Sequence, residues 1–186
     1  MTQRYGKKLL AVMVIGAFVM LGLCSLGLAQ EMQVMKDASK MMFDGWKMFD
    51  EGQLTVIKGM EMNNQIAAKA GCPDILNPGN KTMASGRDSV LEGSKMFAQG
   101  QKVVMEASDP KVLKEGVDML RNGFKMAMGG KETMEKGMAM NDKVAKSKGL
   151  TAKFADGNKM MKDGMATMGE GIRQFMQGER MYLGAK

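Results

Sequence analysis

Methionine is the residue whose type and number in this sequence could support chemistry. The 186 residues include 25 methionines and no histidine. A thioether is a soft ligand that suits Cu(I) and Ag(I), and methionines spaced three, four and seven apart share one face of a helix. Two such groups predict a soft-metal site with Cu(I) as its candidate cofactor: Met161, Met165 and Met168, together with Met134 and Met138.

Two other interpretations of the methionines are open. Methionine is flexible and helix-compatible, so it also fills irregular gaps in a helical core. Methionine-rich faces can in addition form adaptable surfaces for apolar ligands or exposed protein segments, as chaperone-like binders do. The sequence therefore leaves metal binding, core packing and apolar-ligand binding as alternatives.

The sequence lacks the motifs that familiar helical enzymes and cofactor proteins need. Without histidine there is neither the commonest general base nor a Cys-x-x-Cys-His haem attachment or a Glu-x-x-His di-iron site. The acidic residues fall on polar positions rather than in inward-facing pairs. We therefore predict a protein that is not an enzyme, and nominate no catalytic residue.

Residues 1–29 have the layout of a secretory signal peptide. Arg4, Lys7 and Lys8 precede an apolar run from Leu9 to Leu23, and small residues lead to Ala29. The run is about fifteen residues long, short of the roughly twenty that span a bilayer, so cleavage after Ala29 is favoured over a membrane anchor. Lipidation at Cys24 is disfavoured because a leucine precedes it. The expected location is the periplasm or the exterior of the cell.

The mature chain, residues 30–186, has few features that select a partner by charge or redox chemistry. Cys72 is its only cysteine, so no internal disulfide can form. The leader carries three positive charges and no acid, so the formal charge falls from +7 to +4. Lysines alternate with acids, which argues against nucleic-acid binding and excludes a membrane span in the mature chain.

Glycines recur every seven residues in four separate stretches. Glycine inside a helix costs about 1 kcal/mol relative to alanine, so such rows are expected only where they touch a neighbour. We interpret them as packing seams in which two helix backbones approach each other closely. The rows are Gly45, Gly52 and Gly59; Gly79, Gly86, Gly93 and Gly100; Gly116, Gly123, Gly130 and Gly137; and Gly157, Gly164, Gly171 and Gly178.

Apolar side chains follow these glycines by three and four residues, and polar ones occupy the opposite face. This spacing predicts amphipathic helices, and the strict period of seven predicts left-handed supercoiling. Gly71, Gly149 and the prolines mark the ends. The predicted helices lie near residues 34–70, 80–107, 110–148 and 152–183, and short connections make them antiparallel.

The chain repeats itself after 78 residues without a gap. GWKMFDEGQLTVIKGMEMNN aligns with GFKMAMGGKETMEKGMAMND, and Phe97 and Gly100 align with Phe175 and Gly178. Residues 32–107 and 110–185 are therefore a tandem duplication of a helical hairpin. A lone hairpin would expose its apolar face, so we predict one domain over residues 30–186. The predicted fold is all-α, an elongated antiparallel four-helix bundle whose two repeats are related by a pseudo-twofold axis.

These observations favour an exported, non-enzymatic bundle that acts by binding or structural association. Its expected partners are a second copy of the chain or another exported protein. The alternatives are a methionine-based Cu(I) or Ag(I) binder and an adaptable binder of apolar ligands.

Overall fold

The chain forms a bundle of long helices. The computed structural model describes the backbone of residues 3–184 and the side chains of residues 30–184. Over these residues there are four α-helices and no strand: α1 Gln3–Lys69, α2 Asn77–Glu106, α3 Pro110–Ser147 and α4 Ala155–Gly184. The predicted all-α antiparallel four-helix bundle is confirmed. The predicted signal peptide and its cleavage after Ala29 lie outside the residues with described side chains.

Local sequence accounts for where the helices end. Gly71 and Gly149 follow α1 and α3 with φ of 73° and 66°, a left-handed conformation that suits glycine after a helix. Asp109 caps α3, because its side chain accepts hydrogen bonds from the backbone nitrogens of Lys111 and Val112. α2 begins at Asn77, three residues earlier than predicted, because Pro78 is tolerated in a first turn that needs no N–H donor.

The glycine rows face each other in two seams, one between α1 and α4 and one between α2 and α3. A Cβ built on Gly45 would lie 2.7 Å from the Gly171 carbonyl oxygen, and one built on Gly171 would lie 2.5 Å from that of Gly45. The same reciprocal contacts relate Gly52 to Gly164, Gly59 to Gly157 and, in the other seam, Gly79 to Gly137, Gly86 to Gly130, Gly93 to Gly123 and Gly100 to Gly116. Because these contacts are with backbone atoms, the paired helices are closer than side chains would allow.

The two seamed pairs pack against each other through side chains. Residues four positions after each seam glycine are buried, and all except Asn63 and Asn141 belong to one core cluster that includes all four helices. At its middle lies an aromatic group in which Trp46 stacks on Phe97 with ring centroids 4.3 Å apart, and Phe124 stacks on Phe175 at 3.7 Å. A smaller cluster of Ala67, Leu76, Ala145 and Phe154 closes the end that carries the two hairpin loops.

Between the two clusters lies a layer of amides and one carboxyl, which we call the polar layer. Asn63 donates to Asn158, which donates to Asp142, with nitrogen–oxygen distances of 2.7 Å in both bonds. The duplicated counterpart runs from Asn141 through Asn80 to Asn64, at 2.9 and 2.7 Å. Each chain of hydrogen bonds crosses once from one hairpin to the other, so the layer joins the two repeats.

The seams also join the repeats rather than the two helices of one hairpin. α1 and α2 form the first repeat, yet α1 pairs closely with α4 and α2 with α3. A shift of 78 residues carries one seam onto the other, with Ala38 in place of a glycine opposite Gly178. Each repeat therefore depends on the other for its closest packing.

Candidate functional site: the groove between α3 and α4

The five methionines predicted to bind metal are all buried in the main core cluster. Their exposed fractions range from 0 to 9%: Met161, Met165, Met168, Met134 and Met138. The Cγ atoms of Met161, Met168 and Met134 lie against the seam positions of Gly59, Gly52 and Gly86, respectively. Their packing contacts are thus with the backbone of the facing helix, as expected of side chains that fill the space beside a glycine.

An open groove of about 530 Å³ lies between α3 and α4. Phe124 and Phe175, which belong to the core and are 3 and 2% exposed, form its floor, with their stacked rings at an interplanar angle of 6°. Met128 and Met176 contribute flexible apolar surface, and Met176 is 40% exposed. The volume falls within the range of small-molecule pockets. The lining is mixed, because Asp118, Arg121, Asn122, Lys125 and Glu179 are polar or charged.

Charged side chains line the rim of the groove. Arg121 Nε donates to Glu179 Oε1 at 2.5 Å, and Arg121 Nη1 lies 3.4 Å from Asp118 Oδ1. The hydrogen bond to Glu179, with the charges of both carboxylates, raises the pKa of Arg121, although partial burial opposes the shift. This network ties α3 to α4, while Lys125 adds an exposed positive charge beside it.

The duplication explains why the groove forms on this side. The positions of Arg121 and Phe124 correspond to Phe43 and Trp46 in the first repeat. There, Trp46 stacks on Phe97 and the Phe43 ring meets the same Phe97 edge-on at 6.0 Å. The second repeat has a guanidinium and a smaller ring at these places, so it has less aromatic volume with which to cover the floor.

Sequence reasoning missed this groove. It aligned Phe97 with Phe175, but did not identify the difference between the repeats at Arg121 and Phe124. The signal was present, because aligning the two halves puts a charged residue against an aromatic one at a position next to the core. What the alignment could not show is that α3 and α4, which share no glycine seam, leave room between them.

Other kinds of site receive no support within the described residues. No group of three or more His, Cys, Asp or Glu side chains among them is placed to hold a metal ion. Nor does any helix, taken over its described residues, combine the length and apolarity needed to cross a membrane. Cys72, which is partly buried in the loop after α1, is a free thiol.

Comparison with known proteins assigns no role to the groove or to the seams. No protein-family model matches the sequence, and neither the curated proteins nor the solved structures include a significant match. The geometry of the chain itself therefore carries the functional argument.

Proposed function

We propose that the protein is an exported, non-enzymatic binding protein that holds a small apolar ligand in the groove between α3 and α4. One observation carries the proposal: an open groove with a floor of stacked aromatic rings on a bundle whose first repeat packs Phe43 and Trp46 against Phe97 at the corresponding positions. Aromatic floors favour flat apolar ligands, and the exposed Lys125 at the rim favours a ligand with an anionic group.

The chain contains its own reporter of ligand binding. Trp46 is the only tryptophan, and its ring lies 6.0 Å from that of Phe124 on the groove floor. A ligand that settles on Phe124 changes the environment of Trp46 without touching it. Tryptophan emission can therefore follow binding together with the signal of the ligand.

The test uses 1-anilinonaphthalene-8-sulfonate, an aromatic sulfonate whose fluorescence rises in apolar surroundings. We expect saturable binding of one dye per chain, with a parallel change in Trp46 emission. Arg121→Phe, which copies the first repeat and fills the groove, should weaken binding at least about tenfold. Arg173→Phe, on the exposed face of α4, is the matched control and should bind as the parent does.

Two results would overturn the proposal. One is dye binding that is equally weak or equally strong in the parent and both variants. The other is binding that disappears on dilution along with a dimer in sedimentation, because an interface between two copies would then hold the dye.

A second candidate function is binding of Cu(I) or Ag(I) by core methionines. Its support is that all five methionines predicted from the sequence belong to one buried cluster. Titration with Ag(I), which does not change its oxidation state, should then raise the melting temperature, and Met161→Leu with Met165→Leu should abolish the rise. Met105→Leu, an exposed position, is the control. No thermal shift with excess Ag(I) would rule out this candidate.

A further inference from the structure

Most methionines outside the core share one position of the seven-residue repeat. The position lies three residues after each seam residue, on the outer flank of the seam, and we call its side chains the outer row. Nine of its sixteen residues are methionine: Met41, Met48, Met62, Met96, Met119, Met126, Met140, Met160 and Met181. Seven of them are partly exposed, and Met140 and Met181 are exposed at 41 and 38%.

The other seven residues of the outer row are almost all polar. They are Thr55, Thr82, Ser89, Val103, Thr133, Thr167 and Gln174. Leucine, isoleucine and aromatic residues do not occur in this row, although the buried position one residue further along accepts Phe97, Leu120 and Tyr182. With Val103 as the exception, every residue of the outer row is therefore a methionine or a polar residue.

The threonine hydroxyls of the outer row are already hydrogen-bonded within their own helices. The hydroxyls of Thr55, Thr82, Thr133 and Thr167 each donate to the carbonyl four residues earlier in their own helix. Thr82 Oγ1 also lies 3.6 Å from Met140 Sδ across the seam between α2 and α3. A donor is thus already close to one methionine sulfur in this row.

We propose that the outer row is a set of sites for reversible two-electron oxidation by hydroperoxides, built so that methionine sulfoxide does not unfold the bundle. The sulfur lone pair attacks the terminal peroxide oxygen, an S=O bond forms, and the O–O bond breaks. The leaving oxygen takes the proton of the attacked oxygen. Hydrogen peroxide is thus reduced to water while sulfur is oxidised by two electrons.

The same reaction in the core would have the opposite effect on stability. Met42, Met134, Met161 and Met168 are at most 1% exposed. A sulfoxide there would bury a polar oxygen without a partner, and the reagent would reach the sulfur only after local opening. The outer row meets neither difficulty, because its side chains are partly or fully exposed and water can donate a hydrogen bond to the new oxygen.

The experiment exposes the folded protein to hydrogen peroxide and follows each methionine by peptide mass spectrometry. The outer row should oxidise at least about tenfold faster than the core methionines, with Met105, 71% exposed, as the reference for an accessible side chain. Protein with an oxidised outer row should keep its helical circular dichroism and one cooperative melt. Methionine sulfoxide reductases should restore the original mass.

Two variants keep the proposal falsifiable without oxidant. Met140→Gln places an amide in the outer row, where Gln174 already occurs, and should melt close to the parent. Met134→Gln makes the same change in the core and should melt far lower. Three results would each overturn the proposal. The first is an equal oxidation rate in the outer row and the core, and the second is loss of the cooperative melt once the outer row is oxidised. The third is an equal fall in melting temperature for Met140→Gln and Met134→Gln.

Discussion

At the scale of single residues, the environment of each glycine decides what the residue contributes. Gly129 and Gly130 are neighbours in α3, but a Cβ on Gly129 would meet nothing within 4 Å. A Cβ on Gly130 would lie 2.5 Å from the Gly86 carbonyl oxygen and 3.0 Å from the Val90 nitrogen. Neither of these backbone atoms can turn away as a flexible side chain could.

This adjacent pair provides a direct test of the seam. Gly130→Ala should destabilise the bundle by about 1 to 3 kcal/mol, because α2 and α3 must move apart to make room. Gly129→Ala should stabilise it by up to about 1 kcal/mol, because alanine favours helix and has space here. Thermal and urea melts measure both, and a Gly130→Ala protein as stable as Gly129→Ala would mean that the seam is not tightly packed.

Asp50 predicts a pH dependence of stability. Burial, and then the charge of Glu51, raises its pKa above the ordinary 3.8. The folded state therefore binds this proton more tightly than the unfolded state does. The stabilisation is complete below the unfolded pKa and is lost as pH rises through the folded pKa, so ionised Asp50 opposes folding at neutral pH.

Replacing the Asp50 carboxyl by an amide should remove this effect. Asp50→Asn is expected to raise the melting temperature at pH 7 and to have little effect below about pH 3, where aspartate is protonated in both states. Glu92→Gln, at an exposed position of α2, is the control and should not show this pattern. A melting temperature for Asp50→Asn at or below that of the parent at pH 7 would contradict the assignment.

At the scale of helices, the sequence predicted the elements far better than the space between them. Period-seven apolar positions, Gly71, Gly149 and the Asp109–Pro110 cap placed the four helices within a few residues, except that α1 continues back to Gln3. Which rows face each other depends on contacts between residues far apart in sequence, so periodicity alone could not assign α4 to α1. The groove was missed for the same reason, since it depends on the space that α3 and α4 leave between them.

The polar layer shows how helix pairing is made specific at one level of the bundle. Asp142 can only accept when ionised, so Asn158 must turn its amide nitrogen toward it and its oxygen toward Asn63. Asn63 then donates, and its own oxygen is left buried without a hydrogen bond. Such networks are costly when incomplete, and they specify one alignment of the helices.

A double-mutant cycle tests the connection between Asn63 and Asn158. Asn158→Leu should destabilise the protein by about 1 to 3 kcal/mol, because it leaves the Asn63 amide buried without its acceptor. Asn63→Leu with Asn158→Leu removes both partners and should cost clearly less than the sum of the two single changes. Strict additivity in urea melts would show that the two amides do not depend on each other.

At the scale of the whole molecule, the duplication and the seams imply that the same bundle can form with the two repeats in either order along the chain. The end of α4 lies beside the described start of the first repeat, since a Cβ on Gly178 would lie 2.6 Å from the Ala38 carbonyl oxygen. The pseudo-twofold axis relates this end to the Ala107–Asp109 connection between α2 and α3. A chain that begins at α3 would therefore need only a copy of that connection to reach α1.

A circular permutant tests whether the repeats are interchangeable in order. It begins at Pro110, runs to Gly184, continues through a copied Ala-Ser-Asp linker to Met32 and ends at Ser108. Because every seam contact and the polar layer are retained, we expect one cooperative melt within a few degrees of a linear chain of residues 32–184. Trp46 emission should be the same in both. Two separate transitions, or a permutant that does not fold, would mean that the order of the repeats matters beyond the packing of α1 on α4 and α2 on α3.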